Sequence, residues 1–335
     1  MKAVVLRSIG NVELMDVPVP TIRSDQLLIK TGAATICTSD LNDIRENPFG
    51  IELPVVIGHE GAGTVVEVGT QVKGFQVGDR VTTHPVHPCG SCEACRAGMG
   101  HLCLQMEHFG INLPGTMAEY YVVRQDRARC IPQTMDFALA SLAEPVSVCL
   151  EALAQARLKA GDNLLLIGDG PFGVLIARLA VAFDLGRVVL LGRHDFRMEF
   201  APAAIRVNSK NVADAVAEAR RVVGGGYDAA ILCVGTAQAF QECFRSLKPK
   251  GRLVVFSGIT GDTPVDLFWL HIKELEIVGA CNDDNRLDEA VQMLSNKELG
   301  IAKLITHRLP LTEYQDALHL AATGRGSAMK VSFVF

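Results

Sequence analysis

A glycine-spaced turn in the middle of the chain constrains the fold more than any other feature. It directly follows the apolar run Asn163–Ile167 and opens an apolar, helix-like segment, Phe172–Phe183. Glycines at this spacing allow a tight turn, a close approach of the backbone to a pyrophosphate, and packing of the helix against the strand. We therefore predict that the turn binds a dinucleotide through Gly168, Gly170, Pro171, Phe172 and Gly173.

Strands and helices continue to alternate after this turn. Short apolar runs and helix-like stretches follow one another at Arg187–Leu191, Asp228–Val234, Ala237–Leu247 and Arg252–Ser257. Such alternation is typical of a parallel, doubly wound sheet with helices on its faces. The loops after the later strands are expected to lie beside the ribose and the nicotinamide of a bound dinucleotide, and they contain Val234, Gly235, Ser257, Gly258 and Ile259.

The rest of the chain predicts a second, β-rich domain. Short Val/Ile runs broken by Gly and Pro indicate a barrel-like fold at Lys2–Leu6, Gln26–Ala34, Gly63–Val68, Gly78–Thr82 and Ala118–Val123. After Gly279 mixed helices and strands return, which we assign to the same domain. A length of 335 residues suits two domains. We expect residues 1–148 and 279–335 to form the β-rich domain and residues 149–278 to form the dinucleotide-binding domain.

Composition limits the partners of this chain. The formal net charge is −5 and the basic residues are scattered, which argues against nucleic-acid binding. The apolar stretches stop short of the ~20 residues that span a bilayer, and Met1 leads directly into a strand-like segment. We therefore expect a soluble, cytoplasmic protein that has no membrane partner. In that setting ten cysteines favour metal ligation over disulfides.

Four of the cysteines are crowded into one glycine-containing loop, at Cys89, Cys92, Cys95 and Cys103. Four thiolates at such spacing can fill a tetrahedral zinc shell and leave no open position. A closed shell indicates a structural zinc ion. The flanking His84, His87 and His101 are interpreted as surface histidines rather than ligands, because the four cysteines already complete the shell.

Other metal-ligand residue types are dispersed along the chain. Cys37, His59, Glu60 and Glu144 are of the types that hold a catalytic zinc with one position open for water or substrate. Each of these residues alone is weak evidence for a metal site, because a single histidine near a glycine turn is more often a packed side chain. Sequence spacing by itself therefore does not establish a second metal site.

The end of the strand Arg187–Leu191 predicts the choice of cofactor. Dinucleotide-binding folds that take NAD carry an acid there for the ribose hydroxyls, whereas this chain has Gly192, followed by Arg193 and Arg197. Two guanidinium groups in the absence of that acid favour the 2′-phosphate of NADP, with NAD still possible. On this interpretation Gly192→Asp should reverse the preference. The alternative is that Asp195 takes the acidic role and that both arginines are solvated.

These three features together resemble the zinc-containing medium-chain alcohol dehydrogenase family over the full length of the chain. The resemblance rests on the four-cysteine loop, on the glycine turn and on the motif Gly58-His59-Glu60-x-x-Gly63-x5-Gly69-x-x-Val72. Ala143-Glu144-Pro145 replaces the cysteine ligand of the better-known alcohol dehydrogenases, so the chain looks most like the polyol (sorbitol-type) and threonine dehydrogenases. The resemblance implies a GroES-like β-rich catalytic domain and a Rossmann nucleotide-binding domain.

The resemblance also implies roles for individual residues. Cys37, His59 and Glu144 would surround a catalytic zinc, with Glu60 as an alternative or transient ligand. Asp40 would hold a ring nitrogen of His59, and Ser39 would bond the substrate oxygen and pass on its proton. Family members often end this proton relay with a histidine at the position of Asn42, which cannot titrate.

The implied reaction is hydride transfer between a nicotinamide cofactor and a secondary alcohol or ketone, with two zinc ions per chain and a homodimer or homotetramer as the assembly. We favour a polyol or sugar alcohol, and side chains around Phe49, His108 and Phe268 are expected near the substrate. The alternatives are a threonine-like amino-alcohol dehydrogenase, which Phe109–Gly115 resembles, a catalytically idle nucleotide-binding relative, and a zinc-knuckle nucleic-acid binder.

Overall fold

The structure, a computed structural model, describes residues 1–48, 50–283 and 285–335. Phe49, one of the side chains expected near the substrate, lies outside the described residues. The chain divides into a first unit of residues Met1–Ser147, Asp284–Lys297 and Ala302–Phe335, and a second unit of residues Val148–Asp283 and Glu298–Ile301.

Eighteen strands and eleven α-helices are present in the described residues. The strands are β1 (Lys2–Ser8), β2 (Asn11–Asp16), β3 (Gln26–Thr35), β4 (Val55–Val56), β5 (Glu60–Val68), β6 (Arg80–Thr83), β7 (Val86–His87), β8 (Glu107–His108), β9 (Tyr120–Arg124), β10 (Ala128–Cys130), β11 (Leu164–Ile167), β12 (Val188–Gly192), β13 (Ile205–Asn208), β14 (Tyr227–Leu232), β15 (Leu247–Val255), β16 (Glu276–Gly279), β17 (Ile305–Pro310) and β18 (Lys330–Val334). The helices are α1 (Thr38–Glu46), α2 (Glu93–Arg96), α3 (Phe137–Ala140), α4 (Ala143–Ala156), α5 (Pro171–Leu179), α6 (Asp195–Met198), α7 (Ala215–Val223), α8 (Ala237–Ser246), α9 (Leu267–Ile272), α10 (Leu287–Ser295) and α11 (Tyr314–Thr323).

The first unit is organised around strand β3. This strand pairs with β5, β9 and β18, all antiparallel, in a seven-stranded sheet. Its apolar residues Leu27 and Ile29 are fully buried, and they pack against residues of the neighbouring strands β5 and β9. A side chain at Gly63 would press on the carbonyl oxygen of Lys30, so glycine is needed where β3 and β5 lie closest. The C-terminal strand β18 therefore completes a sheet that begins near the N-terminus.

The second unit contains a six-stranded sheet in the order β13-β12-β11-β14-β15-β16, and every neighbouring pair is parallel. The predicted doubly wound sheet is confirmed. From β11 the strand order proceeds to β12 and β13 on one side of the sheet, and from β14 it proceeds to β15 and β16 on the other. The carboxyl ends of β11 and β14 therefore form the switch point where such sheets bind ligands. The glycine turn follows β11 and lies at that point. The sequence did not predict the edge strands β13 and β16, because neither contains a continuous apolar run.

Three short pieces belong to a different unit from the one that the sequence predicted. Residue 148 and the segments 279–283 and 298–301 lie in the second unit. The backbone N–H of Ala280 bonds to the carbonyl of Val255 at 3.0 Å, which extends the sheet past β16. The Arg178 guanidinium donates to the carbonyl of Leu299 at 2.8 Å, and this contact holds the last piece.

One helical stretch, Phe137–Ala156, is long and apolar enough to cross a membrane by length and composition. Its most apolar window is 83% buried inside the protein. That burial matches a core helix, and a single such stretch is weak support for membrane insertion.

The glycine turn provides a test of the fold. A Cβ at Gly173 would press on the Gly168 carbonyl oxygen, whereas a Cβ at Gly170 would have open space around it. Gly173→Ala should therefore lower the free energy of unfolding by about 1–3 kcal/mol, the usual cost of overpacking. Gly170→Ala is the matched control and should cost less than about 1 kcal/mol, as expected for a change at a helix N-cap.

Denaturant unfolding of both variants measures this difference. Equal stability of the two variants would contradict the contact between the start of helix α5 and the carbonyl of the turn.

Candidate active site and cofactor turn

The four cysteines of the loop after β7 converge on one point. The Sγ atoms of Cys89, Cys92, Cys95 and Cys103 all lie within 4.8 Å of one another. The Cys92 Sγ is 3.5 Å from that of Cys95 and 3.8 Å from that of Cys103. Thiolates bound at about 2.3 Å around a tetrahedral zinc lie ~3.8 Å apart, so the donor set fits a closed zinc shell.

Backbone donors stabilise thiolates in this loop. The Cys89 Sγ accepts the N–H groups of Ser91 and Cys92, both at 3.4 Å. The bond from Ser91 is the main reason why the pKa of Cys89 falls to about 6. These donors favour the ionised form that binds zinc at Cys89, whereas burial and the neighbouring Cys92 thiol raise the pKa of Cys95 to about 11.

The histidines near this loop correct one expectation. His84 and His87 are buried rather than on the surface. The Nδ1 atom of His84 accepts the N–H of Val86, and the ring of His87 packs edge-on against Phe109 with centroids 4.9 Å apart. His84 directly follows β6 and His87 ends β7, so packing within the domain explains their burial. His101 is half-buried.

A second cluster lies in the first unit, formed by Cys37, His59 and Glu60. Each offers a ligand atom within 4.8 Å of the other two, and all three side chains are buried. Cys37 is the N-cap of α1, and Glu60 is the first residue of β5. Gly58, with φ of 95°, turns the chain into this strand, where a side chain would meet Met117. Residues that are distant in sequence are thereby brought together.

Asp40 links two members of this cluster. One of its carboxylate oxygens accepts the N–H of Cys37 at 2.8 Å, and the other lies 3.1 Å from the Nδ1 atom of His59. Burial alone would lower the pKa of His59. Asp40 and Cys37 raise it by more than burial lowers it, so the pKa lies well above its usual value. A proton on Nδ1 leaves the Nε2 atom as the ring's ligand atom.

Glu60 has a buried partner that the sequence did not reveal. The Nζ atom of Lys330 lies 2.5 and 2.7 Å from the two oxygens of Glu60 and donates to the Ile36 carbonyl at 3.3 Å. Burial raises the pKa of Glu60, and the lysine charge opposes that shift. The only sequence signal was a lysine at the start of an otherwise apolar strand.

Glu144 lies in the first turn of α4 and is buried. Its Oε2 atom has no hydrogen-bond partner among the residues that the structure describes. Burial, reinforced by the charge of Glu60, raises its pKa to about 7. A buried carboxylate oxygen without a hydrogen-bond partner is suited to a cation, and a carboxylate, a thiol and an imidazole together make a donor set that fits zinc. Glu144 nevertheless lies outside the group of three whose ligand atoms are mutually within 4.8 Å.

Three of the remaining predicted residues, Ser39, Asn42 and His108, belong to the first unit, and one, Phe268, belongs to the second. Ser39 is half-buried in the first turn of α1. Asn42 accepts a hydrogen bond from Arg45 at 3.1 Å. His108 lies with its ring 5.7 Å from that of His59, donates from Nδ1 to the Phe109 carbonyl, and is neutral because burial lowers its pKa to about 3. Phe268 lies on α9 in the second unit and is exposed.

The predicted cofactor loops meet at the carboxyl edge of the second sheet. A Cβ at Gly168 would lie 3.0 Å from the backbone of Cys233, just before Val234, and one at Gly235 would press on the Gly258 carbonyl oxygen. The rings of Phe172 and Phe256 lie 5.0 Å apart, which joins the glycine turn to the segment that contains Ser257 and Ile259. Gly170 has open space above it, so the edge fits a ligand that approaches the backbone closely.

The end of β12 differs from the expectation in one respect. Gly192 faces Asp169, and a Cβ at Gly192 would lie 2.6 Å from the Cβ of Asp169. The single substitution Gly192→Asp therefore needs Asp169 or the backbone to shift, so we expect it to disturb the turn before it reverses the preference. Arg193 is exposed and Arg197 is half-buried. Asp195, the alternative acid, accepts a hydrogen bond from the Asn208 side chain at 2.7 Å.

Comparisons with known proteins agree with this geometry. Residues 23–133 match the alcohol dehydrogenase GroES-like domain, and residues 171–296 match the zinc-binding dehydrogenase domain. A sorbitol dehydrogenase of Bombyx mori is 31% identical over 98% of this chain and 97% of its own length. An L-threonine 3-dehydrogenase of Yersinia pestis (strain Pestoides F) is 28% identical over 98% of both chains.

The chain belongs to the zinc-containing medium-chain alcohol dehydrogenase family. It is an oxidoreductase, and the predicted pairing of a GroES-like domain with a Rossmann domain is confirmed. Two solved structures are similar throughout. A zinc-binding dehydrogenase from Sinorhizobium meliloti 1021 bound to NADP has a TM-score of 0.93 and 29% identity, and covers 100% of this chain and 99% of its own. An alcohol dehydrogenase from E. coli CFT073 complexed with NADH has a TM-score of 0.93 and 26% identity at the same coverage.

The two cysteine-containing clusters predict two zinc ions per chain. Cys92→Ser should leave one zinc and lower the melting temperature, because the loop around it would lose its cross-link. Cys37→Ser should also leave one zinc, but with an unchanged melting temperature and no turnover. Cys130→Ser changes an exposed thiol that belongs to neither cluster and should keep both ions.

Elemental analysis of the purified variants, together with calorimetry, measures both effects. Two zinc ions in Cys37→Ser would refute the second site, and an unchanged melting temperature in Cys92→Ser would refute a structural role for the first.

Proposed function

We propose that this family member oxidises a secondary alcohol group of a polyol or sugar alcohol, with NADP as the preferred cofactor. The observation that carries the proposal is the buried pair of Cys37 and His59, together with the buried Glu144 carboxylate, whose Oε2 atom has no hydrogen-bond partner among the described residues. A thiol, an oriented imidazole and a carboxylate suit a zinc that keeps one position for substrate. The relative named sorbitol dehydrogenase supports the substrate class.

We propose that Cys37, His59 and Glu144 hold this zinc, with Glu60 held in reserve by Lys330. The Cys37 thiolate and the Glu144 carboxylate together bring two negative charges, which balance a doubly charged ion. Glu60 and Lys330 form a neutral pair of their own. Ligation by Glu60 would require this buried ion pair to open, so Glu144 is the more available carboxylate.

The chemistry divides between the bound groups and the chain. When bound, zinc supplies Lewis acidity at the substrate oxygen and the nicotinamide supplies the hydride acceptor. Asp40 orients the His59 ring through Nδ1. Ser39 would accept the proton of the substrate hydroxyl. Asn42 cannot titrate, and its amide oxygen is bonded to Arg45, so the proton would leave Ser39 through water.

The preference for NADP rests on the turn after β12. Gly192 provides no acid for the ribose, and Arg193 and Arg197 follow it. A charge-assisted contact to the 2′-phosphate would contribute about 1.5–3 kcal/mol, or roughly 10- to 150-fold in affinity.

A substrate panel tests the proposed reaction. Polyols, sugar phosphates and amino alcohols are offered with NADP and with NAD, and reduced nicotinamide is followed by absorbance. We expect the highest kcat/KM with a polyol and NADP. Ser39→Ala should lower kcat by on the order of 10² at neutral pH, the usual effect of a lost proton-transfer group.

Thr38→Ala removes the neighbouring exposed hydroxyl and serves as the control, for which we expect an unchanged rate. A panel that responds only to amino alcohols would favour the threonine-type reaction, as the threonine dehydrogenase relative suggests. An unchanged rate in Ser39→Ala would remove that residue from the proton path.

We also propose a homodimer formed through the second unit. Helix α9 exposes four large apolar side chains, with exposed fractions from 47% to 68%, at Leu267, Phe268, Trp269 and Ile272. In the described part of the chain, the nearby strand β16 pairs only with β15, so its outer backbone groups are available to another strand. A second copy presents the same apolar face and the same edge, as a two-fold interface requires.

Sedimentation tests this assembly. The wild type should sediment at twice the chain mass of 36.0 kDa, and Phe268→Glu should shift it towards the monomer. Val77→Glu, at an equally exposed position of the first unit, should leave the dimer intact. Trp269 is the single tryptophan, so its emission should move to longer wavelength when the dimer dissociates. A wild type that is monomeric at micromolar concentration would contradict the proposal.

We place the protein in the cytoplasm. None of the ten cysteines forms a disulfide, which suits a reducing compartment.

A further inference from the structure

Asp169, inside the glycine turn, has contacts that the dinucleotide pattern does not require. One of its carboxylate oxygens accepts the backbone N–H of Arg193 at 2.7 Å and that of His194 at 2.6 Å. The same oxygen lies 3.1 Å from the Nδ1 atom of the His194 ring. The carboxylate is buried, so these bonds are made away from bulk water and the charge is matched by donors.

Asp169 also occupies the space in which a strand-end acid would begin. A Cβ at Gly192 would lie 2.6 Å from the Cβ of Asp169 and 2.8 Å from its carboxylate oxygen. Real side chains do not approach so closely, and Gly192 is itself fixed by its pairing with Asn208 in β13. Aspartate at 169 and any side chain at 192 therefore exclude each other.

We propose that Asp169 is the positioning residue that sets the preference for NADP over NAD. Its side chain fills the space that an acid at position 192 would need, and its carboxylate bonds to the turn after β12. Its carboxylate fixes the backbone of Arg193 and His194, so that the Arg193 side chain is presented to the 2′-phosphate of the cofactor. One oxygen accepts both N–H groups, and the Nδ1 atom of His194 lies 3.1 Å from that oxygen and 3.3 Å from the other, so both oxygens face the turn and we infer that the group does not serve the ribose hydroxyls. This inference rests on the proposed use of NADP.

Binding of nucleotide fragments tests the role without requiring turnover. Calorimetry compares adenosine 2′,5′-bisphosphate, which carries the extra phosphate, with adenosine 5′-monophosphate, which does not. We define the preference as the ratio of their two Kd values. In the wild type the preference should favour the bisphosphate by roughly 10- to 150-fold, and Arg193→Ala should abolish most of it.

Substitutions of Asp169 separate positioning from direct contact. Asp169→Ala leaves two N–H groups without an acceptor. It should reduce the preference at least tenfold, mostly by raising the Kd of the bisphosphate. Asp169→Asn keeps an oxygen that can accept both N–H groups, so the Kd of the monophosphate should stay within about threefold. If Asp169→Ala fails to fold, Asp169→Ser, which has a shorter acceptor, should show the same loss.

A reciprocal exchange tests the steric part. Gly192→Asp alone should weaken both fragments and lower the melting temperature, because its Cβ meets Asp169. Adding Asp169→Gly removes that contact, and the double variant should recover binding with the preference reversed towards the monophosphate. Asp195→Asn removes a neighbouring acid that is bonded to Asn208 and should leave the preference unchanged.

The opposite results are equally specific. A tenfold weaker monophosphate with Asp169→Asn would show that the carboxylate serves the ribose, and would overturn the positioning role. A preference that survives Asp169→Ala would also overturn it, as would a double variant that still prefers the bisphosphate. A wild type without any preference would instead overturn the proposed cofactor, and this inference with it.

Discussion

The reaction centre of this dehydrogenase depends on one buried ion pair, between Glu60 and Lys330. Glu60 begins β5, and Lys330 begins the C-terminal strand β18, so the pair joins segments separated by 270 positions in the sequence. Removing one partner of such a pair costs about 3–5 kcal/mol, since the other charge stays buried without compensation. Strand β18 must return to the central sheet beside β3 before the reaction centre can form. The C-terminal segment is thus as necessary to the site as the motif around His59.

The same pair determines the electrostatics around the proposed zinc ligands. Without Lys330, the carboxylates of Glu60 and Glu144 would lie in one dry interior with the Cys37 thiol. Burial and mutual repulsion would then raise their pKa values further, since the pKa of Glu144 is already raised to about 7 by burial and by the Glu60 charge with Lys330 present. With Glu60 neutralised by the lysine, a single doubly charged ion suffices for Cys37 and Glu144. The family motif contains two adjacent residues of ligand type, His59 and Glu60. Because Lys330 occupies Glu60, Glu144 is the carboxylate whose oxygen has no hydrogen-bond partner among the described residues.

Sequence reasoning located the parts of this molecule that are encoded locally. The glycine turn after β11 and the four-cysteine loop lie within short segments, where spacing alone specifies the geometry. The proposed zinc ligands Cys37, His59 and Glu144 could be grouped only by resemblance, because they lie far apart in the sequence and on different elements. Lys330 was missed for the same reason. His84 and His87 were placed on the surface because the four cysteines already complete a zinc shell, whereas both side chains are buried by packing.

Each unit uses a buried aspartate in the same way. Asp40 accepts the N–H of Cys37 and bonds Nδ1 of His59, and Asp169 accepts the N–H of Arg193 and bonds Nδ1 of His194. In the first unit the histidine comes from another element, so fixing Nδ1 leaves Nε2 for the proposed metal ligation. In the second the histidine belongs to the turn itself, so the bonds shape the backbone beside Arg193. The role of Asp40 was predicted because the resemblance to the family implies it. Asp169 was missed because the dinucleotide pattern specifies glycines and leaves the residue between them open. A carboxylate within a glycine turn therefore bears on cofactor preference when the facing strand ends in glycine, because the two side chains would occupy the same space.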